Sequence, residues 1–199
     1  NNIVKRYGSA KALNGLTASI PSFSITGLVG ANGAGKTTWM MTVAGFLRIQ
    51  SGSINLLGEG AFNPAVHRGR ISILPQDSEL PGESYPLETL THYGCLQGLS
   101  KKAAVESARR VLEEVHLSDR INSPIRNLSH GMRKRVMIAQ CFIGAPELIM
   151  LDEPLSGLDP REVSNMRRFI SAKAHNQTIV ISSHNLHDLE LLCDYIVFI

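Results

Sequence analysis

Along the chain, short apolar runs alternate with stretches whose apolar positions recur every three to four residues. Runs at residues 16–20, 25–29, 53–57, 70–74, 148–151, 178–182 and 195–199 predict strands. Leu148-Ile149-Met150-Leu151 and Thr178-Ile179-Val180-Ile181 are continuously apolar, as expected of strands covered on both faces. A helix is predicted over 37–47, directly after the second strand. Strands alternating with helices in this way predict an α/β fold with a mostly parallel sheet. From about residue 87 to 143 the strand pattern stops and three helical patterns replace it. In the second of these, Ser100 can cap a helix whose apolar face is Val105, Ala108, Leu112 and Val115. Pro81, Gly82 and Pro86 punctuate the entrance to this region, and Gly144 and Pro146 its exit. The pattern reads as one domain: an α/β core of residues 1–76 plus 145–199, interrupted by a helical subdomain at 77–144.

Composition narrows the class of partner. The 199 residues are enough for one domain with a real core. A net charge of +3, from 20 basic and 17 acidic residues, gives no general grip on nucleic acid. Cys95, Cys141 and Cys193 form no close pair, so buried reduced thiols are expected rather than a disulfide framework or a zinc site. No apolar run approaches the ~20 residues needed to span a bilayer, so work at a membrane would require another polypeptide to do the crossing. Without a starting Met, and stopping on the apolar run at 195–199, the sequence reads as a trimmed domain.

Gly30-Ala31-Asn32-Gly33-Ala34-Gly35-Lys36-Thr37-Thr38 fits G-x-x-x-x-G-K-[ST] at every required position, between a predicted strand and a predicted helix. Glycines let backbone N–H groups converge on phosphate oxygens, and the helix N-terminus adds partial positive charge. Lys36 would bridge β- and γ-phosphates, and the Thr37 hydroxyl would ligate Mg²⁺. The strand at 148–151 ends in Asp152 and Glu153. Asp152 is placed to orient Mg²⁺ through its water shell, and Glu153 to polarise an attacking water. Composition and spacing thus support a Mg²⁺-dependent P-loop NTPase.

Together these residues resemble the Walker A and Walker B elements of the ABC ATPases, the nucleotide-binding subunits of ABC transporters. The likeness covers essentially the whole chain, because smaller motifs follow in family order. Gln76 resembles the Q-loop glutamine, which in the family touches Mg²⁺ and the attacking water. Ser156-Gly157-Leu158-Asp159 resembles the D-loop that crosses the dimer interface. His184 resembles the switch histidine at the γ-phosphate, and Tyr7 the aromatic that stacks on adenine. Leu128-Ser129-His130-Gly131-Met132 stands where the family usually reads Leu-Ser-Gly-Gly-Gln, the signature that meets the γ-phosphate bound by the opposite subunit. Ser129 suits an N-cap, and Gly131 would let the backbone approach phosphate. His130 and Met132 depart from the family wording, and the imidazole is expected to face solvent or the partner. Met132, Val136, Ala139 and Ile143 give the following helix an apolar face, leaving Arg133, Lys134 and Arg135 to a solvated one.

The resemblance implies a RecA-like parallel-sheet core with an N-terminal antiparallel β region and an inserted helical subdomain. It further implies a homodimer, or a heterodimer with another ABC ATPase subunit, closing head-to-tail around MgATP. Separate transmembrane permease subunits would hold it at the cytoplasmic side of the membrane, and nucleic acid is not an expected partner. The wording Asn32–Thr38 and Gly157-Leu158-Asp159-Pro160 leans towards export systems. The competing reading is an ABC module with a regulatory or assembly role and little or no hydrolysis; Glu153 and His184 speak against it. A GTPase would need an Asn-Lys-x-Asp motif, which is missing. A chromosome-organising ATPase would need a long heptad insertion, and none occurs.

Overall fold

A computed structural model describes all 199 residues, Asn1–Ile199. The chain opens with an antiparallel pair, β1 (Ile3–Tyr7) and β2 (Ala10–Leu16), joined by a tight turn in which Gly8 takes φ +58°. This turn folds the second strand straight back on the first, so the predicted strand at 16–20 lies one segment too late. Residues 53–57 do not form a strand either: the one isolated bridge nearby, between Val4 and Ser51, lies just before them, and Ser53 only exchanges backbone bonds with Asn1. Ala18, Ile20, Ile54, Leu56 and Leu57 instead line an apolar groove beside Trp39. Apolar patterning therefore reported partial burial in both segments, with only Leu56 fully buried, but not a ladder.

The remaining strands behave as their patterns demand. β3 (Ile25–Val29), β4 (Ile71–Leu74), β5 (Leu148–Leu151), β6 (Thr178–Ser183) and β7 (Tyr195–Phe198) form one parallel sheet of order β4-β5-β6-β3-β7. β3, β5 and β6 are buried at every position. Because side chains alternate across a strand, Leu28, Met150 and Val180 face one side, where Trp39, Met40 and Val43 cover them. Ile149, Leu151, Ile179 and Ile181 face the other side and share a larger core with the helices.

After β3 comes α1 (Lys36–Val43), shorter than the predicted 37–47. Gly45, at φ +80°, ends it: the Gly45 and Phe46 N–H groups bond back to Thr42 and Met41. A short α2 (Pro64–His67) precedes β4. Between β4 and β5 lie α3 (Pro86–Leu96), α4 (Lys101–Glu114) and α5 (His130–Gln140), with no strand among them. Ser100 caps α4 by accepting from the Ala103 N–H at 3.3 Å. The buried face of α4 is Ala104, Ser107, Ala108, Val111 and Leu112, so Val105 of the predicted stripe lies at its margin. α6 (Pro160–Lys173) and α7 (Leu186–Glu190) flank β6. All three cysteines are free thiols, and burial pushes Cys141 and Cys193 up to about 12, which keeps both unreactive near neutrality.

Candidate active site

Parallel strands aim all their carboxyl ends at one edge of the sheet, and every core motif leaves from that edge. Gly30 follows β3, Gln76 follows β4, Asp152 follows β5 and His184 follows β6. The loop after β3 is shaped by two glycines. Gly33 takes φ +80°, and Gly35 takes φ +109° where a Cβ would come within 2.5 Å of the Ala12 carbonyl of β2. Only glycine satisfies both demands at Gly35. The result is a run of backbone N–H groups, at Gly33, Gly35, Lys36, Thr37 and Thr38, that carry no hydrogen bond. They point from the loop and the first turn of α1, the arrangement that binds phosphate.

The side chains around this loop are tied to one another. Lys36 donates from Nζ to the carbonyls of Gly30 (2.7 Å) and Ala31 (3.2 Å), and stands 4.0 Å from Glu153 Oε1. Thr37 Oγ1 donates to Asp152 Oδ2 at 2.5 Å. Ser182 Oγ donates to Asp152 Oδ1 and accepts the Glu153 N–H at 2.9 Å. His184 Nδ1 lies 3.0 Å from Glu153 Oε1. Glu153 itself has φ +48°, a left-handed conformation that costs a non-glycine residue of order 1–3 kcal/mol. Such strain persists where surrounding bonds over-determine it, and here Ser182, Lys36 and His184 do so.

A cleft of about 270 Å³ is lined by Asn32, Gly33, Gly35, Lys36, Thr37, Thr38, Gln76 and Glu153. No hydrophobic residue lines it, which suits a polyphosphate and not an apolar ligand. Thr37, Gln76 and the Asp152 carboxylate offer hard oxygen donors in too small a number to enclose a cation alone. That set fits Mg²⁺, which keeps several waters and takes further oxygens from phosphate.

A family model described as ABC transporter matches residues 13–156. The chain belongs to the ABC transporter family. It is 34% identical over 195 residues to a Nod factor export ATP-binding protein I of Burkholderia lata, covering 97% of this chain and 64% of that protein. It is 37% identical over 201 residues to a bacitracin transport ATP-binding protein of Bacillus licheniformis, covering 98% and 64%. The chain thus spans a little under two thirds of the length of these curated relatives. An ATP-binding cassette of an ABC transporter, solved in its ADP conformation, superposes with a TM-score of 0.86 at 27% identity over 100% of this chain and 85% of that one. The P-loop NTPase fold read from the sequence is therefore the observed one.

Within this ABC chain the remaining motif residues lie elsewhere. Tyr7 ends β1, is 51% exposed and does not line the cleft; Lys5 Nζ sits 5.3 Å from its ring centroid. Asp159 is committed to its own chain, capping α6 by accepting from the Arg161 and Glu162 N–H groups at 3.0 and 2.9 Å. Ser129 caps α5, accepting from the Met132 N–H at 3.1 Å, while the N–H groups of His130 and Gly131 carry no bond. None of Ser129, His130, Gly131 or Met132 lines the cleft. One chain therefore carries two sets of backbone N–H groups without intrachain hydrogen bonds, at the starts of α1 and α5, the chemistry that suits an anion.

The expectation of a solvated Arg133-Lys134-Arg135 face fails. Lys134 is only 8% exposed, Arg133 is bonded to the Leu128 carbonyl, and Arg135 to those of Val115 and His116. α5 is packed against α3 and α4, so its long basic stems are covered while the heads of Arg133 and Arg135 bond to carbonyls. Burial holds the Lys134 ammonium below its usual 10.5, with Glu153, Asp152 and Asp77 opposing the shift. Between the lowered value and 10.5 the unfolded chain binds more protons than the folded one, so stability rises with pH through that window. Lys134→Met should flatten this rise, which denaturant midpoints at pH 7 and above pH 10 would measure. Parallel curves for the two proteins would refute the assignment.

Ser182 escaped the sequence reading, and the pattern places Lys134 on the wrong face. A serine directly after the apolar run of β6 was the available signal for the first. For the second there was none, since a lysine on an amphipathic helix ordinarily reaches water.

Proposed function

We propose that this chain is the ATP-hydrolysing subunit of an ABC transporter, and that two such chains close head-to-tail around two ATP molecules. One observation carries the reading: the phosphate cleft and the free N–H groups of the Ser129–Gly131 turn occupy different surfaces of one chain. Each is half of an anion site, and a second chain turned about a twofold axis would bring the halves together.

In the closed dimer the γ-phosphate would sit between the N-terminus of α1 of one chain and that of α5 of the other. Two positive helix ends that otherwise repel would then share one anion. Lys36 would leave the Gly30 and Ala31 carbonyls for the β- and γ-phosphate oxygens. Glu153 would accept a proton from the water attacking the γ-phosphorus, and the bond to ADP would break, giving ADP and phosphate. His184, bonded to Glu153, would hold the carboxylate in line, with Gln76 beside the water. When bound, Mg²⁺ would neutralise phosphate charge, held by Thr37, Gln76 and Asp152. Loss of the γ-phosphate removes the shared anion and reopens the interface.

No helix is long and apolar enough to cross a membrane; the names of the relatives, ATP-binding proteins of transport systems, support separate permease subunits that form the path. Permease docking would place the chain at the cytoplasmic face. The names of the relatives, one of them an export protein, support export as the direction. A mixing experiment tests the composite site. A Lys36→Ala chain and a Ser129→Arg chain should each be inactive, while their mixture should recover turnover, because mixed dimers keep one complete site. Absence of recovery at every ratio would refute head-to-tail closure.

A further inference from the structure

The first turn of α5 is gripped from two sides by its own chain. Gly131 has an ordinary helical backbone, so conformation does not require glycine there. Space does: a Cβ would stand 2.0 Å from Glu162 Oε2 and 2.6 Å from its Cδ. The Glu162 carboxylate thus lies in the gap that the missing side chain leaves. Arg135 braces it, with Nη2 3.6 Å from Oε1 while Nη1 donates to the Val115 carbonyl at 2.8 Å. These side chains are only 12% and 22% exposed, so the pair is shielded from the screening that weakens surface ion pairs. On the other side, His130 Nε2 stands 3.2 Å from where a Cβ on Gly157 would be.

Both contacts end on one segment. Gly157 and Asp159 belong to the loop leading into α6, and Asp159 accepts the Glu162 N–H. A glutamate three residues after an N-cap ordinarily reaches back to the cap's own N–H. Glu162 reaches across to α5 instead, where its negative charge also complements the helix N-terminus.

We propose that His130, Glu162 and Arg135 form a clip that locks the Ser129–Gly131 turn to the Gly157–Asp159 loop, so that the two move as one body. The functional meaning rests on head-to-tail closure: a γ-phosphate held by the turn then also fixes the loop, and each site reports its occupancy to the other. Glu162 is a positioning residue, and Gly131 is a glycine to make room for it. His130 has a role as well, since its imidazole occupies the space that a side chain at Gly157 would need.

Amide hydrogen exchange on the free chain tests the clip without any need for turnover. Glu162→Ala should speed exchange on both sides, in residues 129–133 and 156–160, and Glu162→Gln, which keeps the packing, should do so less. Exchange rising only within α6 would overturn the proposal. In turnover assays, Glu162→Ala should lower kcat about 2- to 30-fold, the span of coupling changes of 0.5–2 kcal/mol, with ATP affinity of the free chain unaltered. Gly131→Ala displaces the same flexible carboxylate, so the double variant should be no slower than the worse single one. Multiplying losses would mean that Gly131 acts on phosphate independently, and the clip would fall. A wild-type chain with no turnover would instead sink head-to-tail hydrolysis, leaving the exchange result to decide the clip.

Discussion

Glu153→Gln is expected to lower ATP turnover by about 10²- to 10⁴-fold while ATP binding persists, the loss typical of removing a positioned general base. The amide keeps the volume of the carboxylate and can still bond His184, so the left-handed backbone at this position should survive. What it loses is the ability to take a proton from water. The cleft also loses a negative charge next to the incoming γ-phosphate, so the ATP-bound dimer should accumulate. Sedimentation with ATP, but not with ADP, should therefore show a dimer of the variant. Near-wild-type turnover would remove Glu153 from the role of base, and a variant that stays monomeric with ATP would count against closure around the γ-phosphate.

Ser182→Ala should damage stability and turnover together. Its hydroxyl is the joint between two carboxylates: it donates to Asp152 and accepts the Glu153 N–H, in a strand where every position is buried. Removing it leaves a buried carboxylate oxygen and a buried N–H unsatisfied, each costing about 1–3 kcal/mol. For a chain of this size each kcal/mol lowers the melting midpoint by roughly 2–4 °C. Turnover should fall as well, because Asp152 would keep only Thr37 as an anchor and Glu153 would lose the bond that helps hold its strained backbone. Thermal scans and steady-state ATPase assays read the two effects separately. An unchanged midpoint would mean that Ser182 does not carry this joint.

The sequence was most informative where local pattern and chemistry coincide. Leu148-Ile149-Met150-Leu151 declared a strand covered on both faces, with the Asp152-Glu153 carboxylates at its end. Gly30–Thr38 likewise specified a loop geometry that the left-handed Gly33 and Gly35 realise. Patterning failed where the partner of a segment, rather than its own composition, decides the outcome. Residues 53–57 have the apolar content of a strand but join no ladder, the one bridge to β1 lying just before them at Ser51. Lys134 looks like a surface residue until the packing of α5 removes its solvent. Contacts between distant segments, such as Glu162 against Gly131, leave no periodic trace in either segment, so no reading of one chain could have placed them.

The strand order carries a consequence of its own. β6 lies between β3 and β5, so the glycine-rich loop after β3 and the strand that ends in Asp152 and Glu153 are two ladder spacings apart. At 4.7–4.9 Å per spacing that is about 10 Å. The sheet acts as a ruler for the backbones that carry these groups, while the side chains close the remaining distance, to 4.0 Å between Lys36 and Glu153. The strand that sets this gauge also supplies Ser182 and leads into His184, so the groups that steady the two carboxylates stand midway across the gap.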